Sequence, residues 1–292
     1  MALRRDTAAL VALLRRRARP WAHYADLVED VGSAVAILEA ELSEQHPQLF
    51  ASDAPPDLDA IAEEIAAWEA DGMRLVTVLD PDYPDNLRGV HDRPPLVFIR
   101  GSLLPRDSDS VAVVGTRQAT PRGIEQAMVI AGALADADFT VVSGMAAGID
   151  AAAHAAALDR GCRTIAVIGT GLRQCYPAAH RSLQERIVAA GAVVSQFWPD
   201  QPPTKTTFPL RNATMSGLAL ATVVVEASQT SGARMQARLA LEHGRPVFLL
   251  SSLLKHQWAR GYAERPGTYV VEDPGEIVER VGALNALDTL VA

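Results

Sequence analysis

Six short apolar runs between positions 110 and 250 constrain this chain more than any other feature. They are Val111-Ala-Val-Val-Gly115, Thr140-Val-Val-Ser-Gly144, Thr164-Ile-Ala-Val-Ile-Gly169, Ala192-Val-Val-Ser195, Thr222-Val-Val-Val-Glu226 and Pro246-Val-Phe-Leu-Leu250. None alternates apolar with polar residues, so none reads as a strand with one wet face. Continuous β-branched runs of this length read as strands buried on both sides. Helical spacing occupies the intervals at 123–137, 150–160, 179–190 and 232–243. Strands alternating with helices predict a mostly parallel sheet covered on both faces. The expected fold class is therefore α/β, a Rossmann-like doubly wound sheet, in which ligands bind at the carboxyl ends of the strands.

The flanks have a different character. In residues 1–72, Leu10, Leu13 and Leu14, then Leu27, Val28, Val31, Val35 and Leu38, then Ile61, Ile65 and Trp68 fall at helical spacing. Pro20, Pro47 and the Pro55–Pro56 pair punctuate them, predicting a small helical domain. Residues 73–107 hold two strand-like pieces, Met73–Leu79 and Pro94–Gly101, and read as a connector that adds edge strands to the domain at 108–272. Residues 273–292 read as a helical tail. Arg4, Arg5, Arg15, Arg16, Arg17 and Arg19 make the first segment basic, which suits a solvated helix face or a contact with nucleic acid or a partner.

Composition narrows the function classes. With 49% hydrophobic residues the 292-residue chain can bury a large core, yet no apolar run is long enough to span a bilayer. No membrane association is expected, and the N-terminus lacks the pattern of a secretory signal, so the expected location is cytoplasmic. Cys162 and Cys175 form neither a CxxC pair nor a Cys/His cluster, so neither a disulfide framework nor a metal site is implied. The formal net charge is −8, so any nucleic-acid binding must come from a local patch. Lys205 and Lys255 are the only lysines; the other 25 of the 27 basic residues are arginines.

Three strand-end loops carry small residues: Gly115-Thr-Arg-Gln-Ala-Thr-Pro-Arg-Gly123, Ser143-Gly-Met-Ala-Ala-Gly-Ile-Asp150 and Gly169-Thr-Gly-Leu172. Small residues let a ligand approach the backbone, and helix N-termini offer N–H donors to a phosphate. Arg117, directly after the first of these strands, adds a charge-assisted donor. One such loop would suit a mere tight turn; three on one edge predict an anion site. No GxxxxGK[ST] occurs, and Gly169-Thr-Gly171 lacks the third glycine of a dinucleotide fingerprint, which argues against a nicotinamide or flavin cofactor.

A second cluster, Lys205-Thr-Thr-Phe-Pro-Leu-Arg-Asn212, lies between strands and gathers two cations, a ring and an amide. Cations that hold phosphates beside a ring that stacks on a base suit single-stranded nucleic acid. An ordinary loop with Phe208 plugging the core is the other reading. Asp150 and His154, at i and i+4, read as structural, with Asp150 at a helix start and His154 packed against it. Ser231-Gly232 reads as a helix cap. No Ser/His/Asp or Cys/His arrangement points to a catalytic residue.

In their order along the chain, several segments resemble the DNA-processing protein A family (DprA, also called Smf). They include Tyr83-Pro84, Pro94-Pro95, Val113–Arg117, Gly123, Ser143–Asp150 with His154, Tyr176-Pro177, Phe208–Asn212, Ser216–Leu218, Val225–Ala227 and Ser231-Gly232. The resemblance implies a non-enzymatic, cofactor-free, single-stranded DNA-binding protein that forms homodimers. It would load the recombinase RecA during natural transformation or related recombination. It further implies that Arg117, Lys205 and Arg211 hold phosphates, that Phe208 supports or stacks on a base, and that Asn212 orients the pocket. Gly115, Thr116 and Gly144 would supply backbone and hydroxyl donors.

This chain departs from that pattern in places. Ala213 stands where the family continues Arg-Asn with a second arginine, and Ser195-Gln196 where it has serine-glutamate. Ser251–Gln257 replaces a Pro-Gly turn and a Gly-Asn-rich segment, and Ala292 falls short of the winged-helix domain that many members append. Loss of a cation at 213 is expected to weaken DNA binding. The alternative function is a nucleotide-binding sensor or an enzyme resembling the cytokinin-activating phosphoribohydrolases, whose Gly-Gly-x-Gly-Thr-x-x-Glu motif is absent here.

Overall fold

A computed structural model describes residues 2–44 and 55–291, with side chains for 4–43 and 55–283; Pro47 lies outside the described residues. The N-terminal part is helical: α1 (Ala2–Arg16), α2 (Trp21–Val31), α3 (Ala34–Glu44) and α4 (Leu58–Ala70). Their boundaries follow local chemistry. Pro20 precedes α2, Gly32 closes it in the left-handed region at φ +73°, and the Asp57 carboxylate caps α4 by accepting from the N–H groups of Asp59 and Ala60 at 3.0 Å. Leu10, Leu13, Leu14, Val28, Leu38, Ile61, Ile65 and Trp68 are buried, as their spacing predicts, whereas Val31 is exposed. In the basic first segment Arg15 pairs with Glu64 at 2.8 Å, Arg19 with Glu41 at 2.9 Å and Arg4 with Glu69 at 3.9 Å.

The rest builds one nine-stranded sheet. In chain order the elements are β1 (Arg74–Thr77), α5 (Asp85–Arg88), β2 (Leu96–Gly101), β3 (Ser110–Val114), α6 (Pro121–Asp136), β4 (Thr140–Ser143), α7 (Ile149–Asp159) and β5 (Thr164–Val167). There follow α8 (Arg181–Ala190), β6 (Ala192–Ser195), α9 (Thr207–Leu218), β7 (Ala221–Val224), α10 (Gly232–Glu242), β8 (Val247–Leu250), α11 (Gln257–Ala263), β9 (Thr268–Val271) and α12 (Pro274–Val291). Strand order is β1-β2-β6-β5-β4-β3-β7-β8-β9, with β3 to β9 parallel and the β1–β2 hairpin joined antiparallel to β6. The α/β, Rossmann-like class is thus the observed one.

The helical segment packs over the β2–β6 end of the sheet through tryptophan. Trp68 meets Phe98 edge-on at 5.2 Å, Trp21 meets Trp198 at 5.4 Å, and the Arg15 guanidinium lies 5.3 Å from the Trp198 ring centre. The Tyr83-Pro84 and Pro94-Pro95 pairs belong to this junction, since the buried Tyr83 hydroxyl donates to the Pro94 carbonyl at 2.6 Å. None of the described helices is long and apolar enough to cross a membrane.

Two elements differ from the sequence expectation. Residues 207–218 form the helix α9, not a loop between strands. Its face Arg211–Leu218 is wholly buried, so no polar stripe marks it in the sequence. Pro209 falls in the first turn, where its missing N–H would have no helical partner in any case. The second is β9, whose Thr-Tyr-Val-Val is half exposed at the sheet edge and lacks a continuous apolar signature.

Candidate functional site

Strands β4, β5 and β6 follow β3 to one side of the sheet, and β7, β8 and β9 lie to the other. Chain direction across the sheet therefore reverses between β3 and β7, the place where a doubly wound sheet opens a crevice at its carboxyl ends. A cavity of about 410 Å³ occupies that place, lined by Gly115–Gln118 after β3, by Ser228 and Thr230–Ala233 before and at the start of α10, and by Phe208, Arg211 and Asn212 of α9. A smaller cavity of about 120 Å³ continues across the ends of β4 and β5, where Gly144, Gly169 and Tyr176 join Arg117, Phe208 and Arg211.

Close approach of the loops explains their glycines. Gly148 has φ +82°, and a β-carbon there would meet the Arg117 carbonyl oxygen at 2.9 Å, so the loops after β3 and β4 touch backbone to backbone. At Gly169 a β-carbon would lie 2.9 Å from the Phe208 ring. Thr120 ends the first loop by accepting from the Gly123 N–H at 3.0 Å, with Pro121 opening α6. Thr116 donates its N–H to the Glu226 carbonyl at 2.7 Å, which holds Gly115 and Thr116 against the end of β7.

Phe208 is half-buried between the cavities. The Arg117 guanidinium lies 5.0 Å and that of Arg211 6.0 Å from its ring centre, and Tyr176 packs on it at 5.8 Å. Arg117 is exposed; Arg211 is buried. Arg211 Nη1 donates to the carbonyls of Gly144 and Val167, the latter at 2.9 Å, and Nε donates to Asn212 Oδ1 at 2.9 Å. Burial pushes the Arg211 guanidinium below its ordinary value, and the negative charge of Asp150 opposes that shift. Burial likewise pushes the Asp150 carboxyl up, against Arg211 and the Ala146 N–H that donates to it at 3.2 Å.

Of the residues expected to bind, Gly115, Thr116, Arg117, Phe208, Arg211 and Asn212 line the large cavity, and Gly144 lines the small one. Lys205 sits apart, on the exposed turn before α9, and lines neither. His154 takes Thr164 Oγ1 as its partner at 2.7 Å, whereas Asp150 accepts from the Ala146 N–H of its own loop. Ser231 is a cap, its hydroxyl accepting from the Ala233 N–H at 3.2 Å, and it lines the cavity as well. Tyr176 is the member that residue-level reasoning missed; its signal was the Tyr176-Pro177 pair directly after the third glycine loop.

Residues 74–282 match the family described as DNA recombination-mediator protein A. A protein named Smf from Synechocystis is 38% identical over 221 residues, covering 74% of this chain and 56% of that protein. The chain spans about three fifths of the length of such curated relatives. The X-ray structure of DNA processing protein A from Streptococcus pneumoniae superposes with a TM-score of 0.75 at 28% identity, covering 94% of this chain and 97% of the other. A DNA processing protein A from Helicobacter pylori, solved for its single-stranded DNA binding mode, gives a TM-score of 0.62 at 25% identity, covering 71% and 95%.

Proposed function

Because the chain belongs to the DNA recombination-mediator protein A family, we propose that it binds single-stranded DNA along the carboxyl edge of its sheet and serves recombination as a non-enzymatic mediator. It would work in the cytoplasm as a homodimer, coating incoming strands during transformation and loading RecA onto them. The observation that carries this reading is Phe208, a ring held at the mouth of two adjoining cavities between the guanidiniums of Arg117 and Arg211. Every base has a π-face, so a ring with flanking cations holds a strand without reading its sequence.

Each residue has a part in this reading. Arg117, exposed and with no acidic partner among the described residues, takes a phosphate. Thr116 and the loop backbone of Gly115 and Gly144 add neutral donors, and the start of α10 adds the positive end of its dipole. Arg211 and Asn212 act from beneath: Arg211 ties the ends of β4 and β5 to α9, which sets where Phe208 stands. Lys205 meets the strand outside the cavities.

The test is fluorescence anisotropy with a labelled oligothymidylate and a matched duplex at two salt concentrations. Binding that prefers the single strand and weakens with salt is expected, and Phe208→Ala should lower affinity by about 1–3 kcal/mol. No binding at low salt, or release of free base from nucleoside monophosphates, would overturn the reading.

A further inference from the structure

A third cavity, of about 400 Å³, lies on the far side of the large one, over the ends of β7 and β8. It shares Thr116, Gln118 and Ser228 with the large cavity, so the two form one continuous groove. Its charged lining is Arg122 from the first turn of α6, Lys255 and His256 after β8, and a single carboxylate, Glu226. That carboxylate is committed elsewhere: its Oε2 accepts from the N–H and the hydroxyl of Thr120 at 3.0 and 3.1 Å, at the head of α6.

The three basic side chains come together at one cavity. Among the described residues, twelve arginines form ion pairs with acidic partners. Among the described residues Arg122, Lys255 and His256 have no such partner, and Arg122 and Lys255 are exposed. In a chain of net charge −8 such a grouping is a local reversal of sign, and it sits where the first groove ends. The lining also differs in kind. The smaller cavity has the rings of Phe208 and Tyr176; this one has hydroxyls and amides, from Thr120, Ser252, Gln118 and Gln126, beside its cations. A surface of that composition holds phosphates and leaves bases free.

We infer that the cavity of Arg122, Lys255 and His256 is a second subsite for the phosphodiester backbone of a single strand, which continues into it from the Phe208 cavities. This rests on the single-stranded DNA reading above. The strand is gripped by its bases at the β4–β5 end and by its phosphates alone at the β7–β8 end.

The experiment compares the intact chain with the double variant Arg122→Ala/Lys255→Ala on oligothymidylates of about 6 and about 20 nucleotides, a range that brackets single-strand site sizes. For the longer strand the double variant should lose on the order of tenfold in affinity at low salt. Its slope of log affinity against log salt should also fall by about 1.4, from about 0.7 per phosphate released. Binding of the short strand should be unchanged, and Arg117→Ala should weaken both lengths. An unaltered slope on the long strand, or equal losses on both lengths, overturns the subsite while leaving the Phe208 site standing. A parent chain that binds neither length overturns both.

Discussion

Arg211 and Asp150 approach each other across Gly144, where a β-carbon would lie 2.8 Å from Asp150 Oδ2, and both are buried. Each is held by hydrogen bonds to the backbone, which is what allows charge to remain at the floor of the site. Positions 213 and 196, which the resemblance set apart, follow the same logic. Ala213 and Gln196 are both buried, and the Thr214 hydroxyl beside Ala213 donates to Gln196 Oε1. The contact here between α9 and the end of β6 is a neutral one, made by Thr214 and Gln196 beside Ala213. A cation placed at 213 would therefore be a buried one. Ala213→Arg alone should cost roughly 3 kcal/mol in urea unfolding, and Gln196→Glu in the same chain should restore part of it; additivity of the two would refute the coupling. His154 gives a pH signature. Burial, with the charges of His180 and Arg211, pulls its pKa from 6.5 down to about 3. The unfolded chain therefore takes up the proton first, so stability is full above about pH 6.5 and is lost as pH falls toward 3. At about pH 5 this residue removes about 2 kcal/mol. His154→Gln should flatten the urea midpoint between pH 7 and 5; an unchanged slope would exclude this origin.

Elements were legible in the sequence to the degree that they are buried in a regular way. The valine runs of β3 to β8 declared themselves because both faces of each strand are covered. For α9 the same burial hid the element, since a helix covered along most of its length shows no stripe. The candidate residues it carries, Phe208, Arg211 and Asn212, were thus read on a segment between strands and not on a helix. Arg122, Lys255 and His256 escaped because they come together from two segments of chain more than a hundred residues apart. At the opposite edge of the sheet a buried pair holds the connector. Asp107 accepts from Arg163 Nη2 at 2.7 Å and Nε at 2.9 Å, and from the Thr140 hydroxyl and the Leu104 N–H. Asp107→Ala leaves Arg163 without its carboxylate partner and should cost about 3–5 kcal/mol by chemical unfolding, with DNA affinity at low temperature preserved. Loss of DNA binding by a fully folded variant would count against this structural role.

At the scale of the whole molecule, an acidic chain is expected to bind an acidic polymer through one basic edge. The prediction is a steep salt dependence, with affinity at low salt restored to the Arg117→Ala variant by no mere increase in positive charge elsewhere. Replacing two exposed acidic residues of the helical segment, Glu63 and Asp59, by glutamine and asparagine should change affinity less than twofold at moderate salt, since charge beyond roughly 10 Å is screened. The junction between that segment and the sheet has a further consequence. Three of the four tryptophans, Trp21, Trp68 and Trp198, meet there, the fourth packs against Tyr262, and the rings at the groove are Phe208 and Tyr176. Three of the indoles thus form a built-in optical reporter on the seat of the helical segment, and the fourth, Trp258, stands two residues beyond His256 of the third cavity. In a Trp258→Phe chain, a change in indole emission when a strand is added would announce movement of the helices, with no dye attached.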